Sequence, residues 1–211
     1  MLGLKKHAIV AKFIQGCYLL IMTAFLLATA LVALAEMGDK TQLLAFLLAA
    51  RFRQPIPIVL GIFVATIINH AFAGAVGMYL NSLIGQDNMR WILGIGFLIM
   101  AAWLLIPDEL DEQQEQDSSR FGVFGTTVIA FFLAEMGDKT QIATVALSAK
   151  YAADFVWVIL GTTLGMMLAN VPAVYLGNHF AQKLPIRWIH GIAASIFALI
   201  GILILLGKTG F

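Results

Sequence analysis

Seven residues, Glu36-Met37-Gly38-Asp39-Lys40-Thr41-Gln42, return unchanged as Glu135-Met136-Gly137-Asp138-Lys139-Thr140-Gln141, and each copy lies inside a long apolar run. An ionisable side chain near the middle of a bilayer costs about 3 kcal/mol or more unless it is paired or faces a polar cavity. The chain must therefore fold so that both motifs are turned away from lipid. Bearing that cost twice with identical residues points to a site for an ion.

Composition supports the membrane setting. Hydrophobic residues make up 61% of the 211 and charged residues 12%, far from the balance of a soluble domain. The net charge of +1 leaves no basic excess for nucleic acid. Cys17 is the lone cysteine, so no internal disulfide or cysteine-based zinc site can form, and it reads as a packing residue. Lys5, Lys6 and Lys12 precede a long apolar run, as in a signal peptide. That run continues from Tyr18 to Ala35 straight into the first motif with no convincing cleavage site, so it is expected to stay as the first span.

Six apolar stretches can cross a bilayer, which takes about 20 helical residues. They run roughly Cys17–Ala50, Ile56–Leu80, Met89–Ile106, Phe121–Ala149, Phe155–Ala181 and Ile186–Leu206. The first and fourth exceed one crossing and hold a motif near the middle, so a break or kink at Gly38 and Gly137 is expected. Pro107–Arg120 carries six acids against one arginine and divides the chain. It reads as a solvated linker, or alternatively as an acidic vestibule that attracts cations.

The halves are repeats. The motifs match at an offset of 99, Leu60-Gly61 matches Leu160-Gly161 at 100, and Arg90-Trp91-x-x-Gly94 matches Arg187-Trp188-x-x-Gly191 at 97. Three crossings per unit force the second unit to enter from the opposite side. The predicted fold is thus an all-α integral membrane protein of six transmembrane helices, a 3+3 inverted-topology repeat. Residues 1–106 form the first three-helix unit with its N-terminal segment, 107–120 the acidic loop, and 121–211 the second unit. In this plan substrate sites lie near the midplane where the repeats meet. Basic residues divide six against five between the two sides, so the positive-inside rule leaves orientation open.

Of twelve acids, only Glu36, Asp39, Glu135 and Asp138 fall within spans. In a continuous helix, residues three apart share a face. Glu36, Asp39 and Gln42, and likewise Glu135, Asp138 and Gln141, would then present two carboxylates and an amide in a row. Hard divalent cations such as Ca²⁺ and Mn²⁺ take such oxygen ligands. Thr41 and Thr140 would add hydroxyls or bond back to the backbone. Lys40 and Lys139 follow their glutamates by four residues, the spacing of an intrahelical ion pair. Each motif then keeps one net negative charge. One divalent cation, or two protons, discharges the pair.

Gly38 and Gly137 either admit a close neighbouring helix or let the backbone unwind. Met37 and Met136 are core filler, or soft ligands that favour a transition metal. Asn69, His70 and Asn170 form polar centres in the second helix of each unit. They serve as interhelical glue or border the site, and His70 could carry a proton. His7, His179 and His190 lie nearer span ends and read as interfacial. Trp91, Trp103, Trp157 and Trp188 fit an aromatic belt.

Two E-x-G-D-[KR]-[TS] motifs in three plus three spans, divided by an acidic loop, closely resemble the cation/proton exchanger family that handles Mn²⁺ and Ca²⁺ in the eukaryotic Golgi and chloroplast and includes bacterial manganese exporters. The resemblance covers nearly the whole chain. It implies a secondary transporter in which Glu36, Asp39, Glu135 and Asp138 bind the cation, with Lys40, Thr41, Lys139 and Thr140 completing the motifs. The short chain suggests a bacterial member in the cytoplasmic (inner) membrane that exports Mn²⁺ against protons. Ca²⁺/proton exchange on the same site and a passive cation channel are alternatives. No prosthetic group is implied. The partners are the divalent ion and the lipid bilayer, with a homo-oligomer left open and no nucleic acid.

An enzyme is not expected. Intramembrane aspartyl proteases use two aspartates on facing helices, one within G-x-G-D, but here a glutamate replaces the first glycine and a lysine follows each aspartate. A purely structural role for the motifs would need only neutral pairs. No G-x-x-x-x-G-K-[ST] loop is present to draw on ATP.

Overall fold

The computed structural model describes residues 2–84, 86–106, 121–176 and 186–208. They form helices α1 (Leu2–Glu36), α2 (Lys40–Phe52), α3 (Pro55–Ile84), α4 (Gln86–Trp103), α5 (Gly122–Glu135), α6 (Lys139–Lys150), α7 (Phe155–Leu176) and α8 (Ile186–Leu205), with a 3₁₀ turn at Ala152–Asp154 before α7. No strand occurs among the described residues. The acidic segment 107–120 and His179 lie outside them, as does the side chain of His7.

Three helices are long and apolar enough to cross a membrane: Pro55–Ile84, Ala152–Leu176 and Arg187–Leu205. Ile21–Glu36 and Lys40–Phe52 make a fourth candidate if taken as one span, bent by 69° at its break. Asn88–Trp103 and Gly122–Glu135 are apolar but shorter. Among the described residues the helices thus supply three or four spans by length and composition, against the six expected. The shortfall has local causes. The second motif cuts its apolar run into α5 and α6, and α6 (KTQIATVALSAK) is too polar to count.

Burial is inverted relative to a soluble protein. Phe72, Leu168 and Leu199 are exposed, whereas Thr66, Asn69, His70, Thr144, Ser148 and Asn170 are buried. Such a surface suits hydrocarbon, and polar groups that lipid cannot satisfy turn inward. Trp91, Trp157 and Trp188 are exposed, as a belt requires, but Trp103 packs against the core.

Helices α3 and α7 meet at the centre. Each carries the motif helices of the other half: α1 and α2 lie on α7, while α5 and α6 lie on α3. Helix α4 pairs with α8. The matched glycines explain how each central helix comes so close to a motif helix of the other half. A Cβ on Gly61 would lie 2.7 Å from Thr127 Cβ and 3.0 Å from the Phe124 carbonyl of α5. A Cβ on Gly161 would lie 2.5 Å from the Phe25 carbonyl of α1. Small residues at such crossings let backbones touch, where packing rather than the hydrophobic effect drives association.

Candidate cation site

Both motifs break their helices. Helix α1 ends at Glu36 and α2 starts at Lys40; α5 ends at Glu135 and α6 starts at Lys139. Gly38 adopts φ +85° and Gly137 φ +76°, left-handed conformations open to glycine at little cost. Asp39 and Asp138 occupy the N-cap positions of α2 and α6, with extended backbones. The Asp39 carboxylate accepts the Lys40 N–H at 2.9 Å. The break expected at Gly38 and Gly137 is present, and it removes the single helical face on which Glu, Asp and Gln would have lined up. The glycines unwind the chain, so glutamate and aspartate reach the site from opposite sides of a break.

The glutamines have a different task from the one expected. Gln42 Oε1 accepts the Gly38 N–H at 2.9 Å, and Gln141 Oε1 accepts the Gly137 N–H at 2.7 Å. These amide oxygens satisfy donors freed by the break, much as a capping-box residue does. Gln42 also donates from Nε2 to the Ala169 carbonyl of α7 at 2.8 Å.

The lysines cross between motifs. Lys40 Nζ lies 3.5 Å from Asp138 Oδ1, and Lys139 Nζ lies 3.5 Å from Asp39 Oδ1. The expected pairing of each lysine with its own glutamate relied on i,i+4 geometry, which needs a continuous helix, and the break removes that geometry. At 3.5 Å these are ion pairs rather than short charge-assisted hydrogen bonds.

Three carboxylates from both motifs converge. Oxygens of Glu36, Asp39 and Asp138 all lie within 4.8 Å of one another, and all three residues are buried. Ligands on opposite sides of a cation with metal–oxygen distances of about 2.2–2.5 Å are separated by roughly 4.4–5 Å, so the spacing fits one ion. Glu36 Oε2 accepts a hydrogen bond from Thr41 Oγ1. Glu36 Oε1 and Asp138 Oδ2 are fully buried without a hydrogen-bond donor among the described residues. Such oxygens are costly unless something positive completes them.

Glu135 lies beside this trio but outside its 4.8 Å cluster. It accepts from Thr66 Oγ1 at 2.7 Å and from Asn69 Nδ2 at 3.4 Å, both on α3. Asn69 also donates to the Phe132 carbonyl at 3.1 Å. Thr140 is buried next to Glu36. His70 is fully buried, and neither ring nitrogen has a hydrogen-bond partner among the described residues. Asn170 turns back on its own helix, donating to the Met166 carbonyl and thioether. Met136 is 55% exposed and so adds no soft ligand to the buried trio.

His190 was expected at an interface with the headgroups. Instead it is buried on α8, with Nε2 2.7 Å from the Met37 carbonyl in the first break. A carbonyl only accepts, so Nε2–H donates. One signal could have found it: in the Arg-Trp alignment the polar His190 falls opposite the apolar Leu93.

The sequence model of the GDT1 divalent cation/proton antiporters matches twice, over residues 24–112 and 123–210. The chain belongs to that family. Among curated relatives, a Vibrio cholerae serotype O1 protein named "Putative manganese exporter" is 50% identical over 182 residues, covering 86% of this chain and 90% of its own. GDT1-like protein 3 of rice (Oryza sativa subsp. indica) is 29% identical over 82% of this chain and 70% of its own. GDT1-like protein sll0615 of Synechocystis is 27% identical over 86% and 96%. No solved structure matches. As a member of the GDT1 family the chain belongs with membrane transporters whose substrates are divalent cations.

Proposed function

We propose that this GDT1 member exports Mn²⁺ across a bacterial inner membrane in exchange for protons, with Glu36, Asp39 and Asp138 as the cation ligands and Glu135 as a fourth acid beside them. The observation that carries the reading is the buried meeting of carboxylates from both motifs within 4.8 Å. Four acids and two lysines leave the site formally two charges negative, the load of one divalent ion. Loss of the ion would have to be answered by protons, since buried carboxylates that are neither paired nor coordinated do not stay charged. The oxygen-only donor set suits Mn²⁺ and Ca²⁺ alike. The name of the Vibrio relative favours Mn²⁺.

The chain is proposed to cross six times as two units, 1–106 and 121–211, inverted relative to each other and joined by 107–120. The exchanged packing of motif helices on α3 and α7 supports that plan, as does the double match of the family model. Helices α4 and α5 would then serve as short or broken crossings.

The test is transport into proteoliposomes. Mn²⁺ movement should drive protons the other way, and Ca²⁺ should compete less well than Mn²⁺. Metal flux indifferent to an imposed pH gradient would make the protein a channel. A Ca²⁺ preference would move the assignment to Ca²⁺/proton exchange.

A further inference from the structure

We infer that His190 is a positioning residue that latches the first motif's break to the second half of the chain, so that the two sides of the cation site are held unequally. The inference rests on the cation-site reading above. Met37 C=O and Gly38 N–H belong to one peptide group. Its oxygen accepts from His190 of α8 at 2.7 Å, and its N–H donates to Gln42 of α2 at 2.9 Å. Gln42 passes the tie on to α7 through Ala169. A peptide group held at both ends cannot rotate without breaking both bonds. This one lies between Glu36 and Asp39, so fixing it fixes where two of the three clustered carboxylates point.

The second break is built differently. Its Gly137 N–H is held by Gln141, but Met136 and Gly137 are exposed, whereas Met37 and Gly38 are half-buried. The residue matching His190 is Leu93, which sits in the apolar core and has no donor to offer. The repeat is therefore unequal at this position, where the donor that reaches the first break has an apolar counterpart in the other half. The latch is also independent of ring charge, because Nε2 carries a hydrogen both in the neutral tautomer that makes this bond and in the imidazolium.

The experiment measures Mn²⁺ binding to the purified full-length protein in detergent and Mn²⁺ uptake by proteoliposomes. His190→Leu copies the first half's own residue and should raise both Kd and KM about tenfold, the scale of one lost hydrogen bond in a low-dielectric site, with the maximal rate changed less than twofold. His190→Gln retains a donor and should recover most of the affinity. Native affinity in His190→Leu overturns the inference. So does a folded His190→Gln that fails to recover, since ring packing would then be what matters. If His190→Leu does not fold, His190→Met against His190→Gln gives the same contrast of no donor with donor. Glu36→Gln is the control: if the native protein and Glu36→Gln bind Mn²⁺ equally, the cation-site reading falls and takes this one with it. If only Glu36→Gln loses binding, the site stands and the latch alone is refuted.

Discussion

Lys40 and Lys139 occupy equivalent places in the two motifs and make ion pairs of the same length, yet their removal should have unequal consequences. Each lies 3.5 Å from an aspartate oxygen of the other motif, but the Lys40 side chain is 27% exposed and that of Lys139 only 1%. At that separation a pair of unit charges is worth roughly 1 kcal/mol in water-like surroundings and roughly 5 kcal/mol at an effective dielectric near 20. Breaking a buried pair by removing one partner costs about 3–5 kcal/mol, because the remaining charge stays buried. A partly exposed pair is worth about 1 kcal/mol or less. Lys139→Gln should therefore lower the unfolding free energy at least about 2 kcal/mol more than Lys40→Gln does. The assay is reversible unfolding of the purified protein in mixed detergent micelles, with metal-free and Mn²⁺-saturated samples compared. Saturating Mn²⁺ should shrink the Lys139→Gln deficit, because the cation supplies positive charge to the carboxylate that lost its lysine. Equal costs for the two substitutions, or a larger one for Lys40→Gln, would refute the argument from burial.

Asp138→Asn should abolish saturable Mn²⁺ uptake while the protein still reaches the membrane, which quantitative blotting of membrane fractions beside a flux assay will check. Gly77→Ala should destabilise the α3–α6 contact by a few kcal/mol, because its Cβ would run into the Val145 carbonyl. Gly96→Ala, with nothing within 4 Å, should be neutral or mildly stabilising in the same unfolding assay. Thr66→Val should remove a donor from Glu135 and weaken proton-coupled uptake more than equilibrium Mn²⁺ binding, read by comparing flux under an imposed pH gradient with calorimetric affinity.

The parts legible in the sequence were those set by local composition. The apolar runs, the two motifs as the place where charge enters the interior, and the break at Gly38 and Gly137 all follow from residue type and spacing. What escaped depends on how the halves meet. Glu36 and Lys40 are four residues apart and looked paired, but that spacing means something only where a helix continues, and Gly38 at φ +85° stops it. Once the helix stops, the partner of Lys40 is whichever carboxylate the other half brings near, and no single-strand pattern encodes that. Gln42 looked like a ligand because amides and carboxylates both offer oxygens. Its oxygen is taken by the Gly38 N–H, a donor that exists only because of the break. His190 was misjudged from its nearness to the end of a span, since depth along one helix does not reveal which neighbour lies alongside.

The reciprocal lysine–aspartate pairing has a consequence for how such a protein could arise. Each half depends on the other for its countercharge, so either half produced alone would place an unmatched carboxylate in the bilayer. A single-copy ancestor with this arrangement would function only as two chains embracing head to tail. Fusion of the copies would then free one of them to acquire features, such as a histidine in place of leucine, that a symmetric pair must carry twice or not at all.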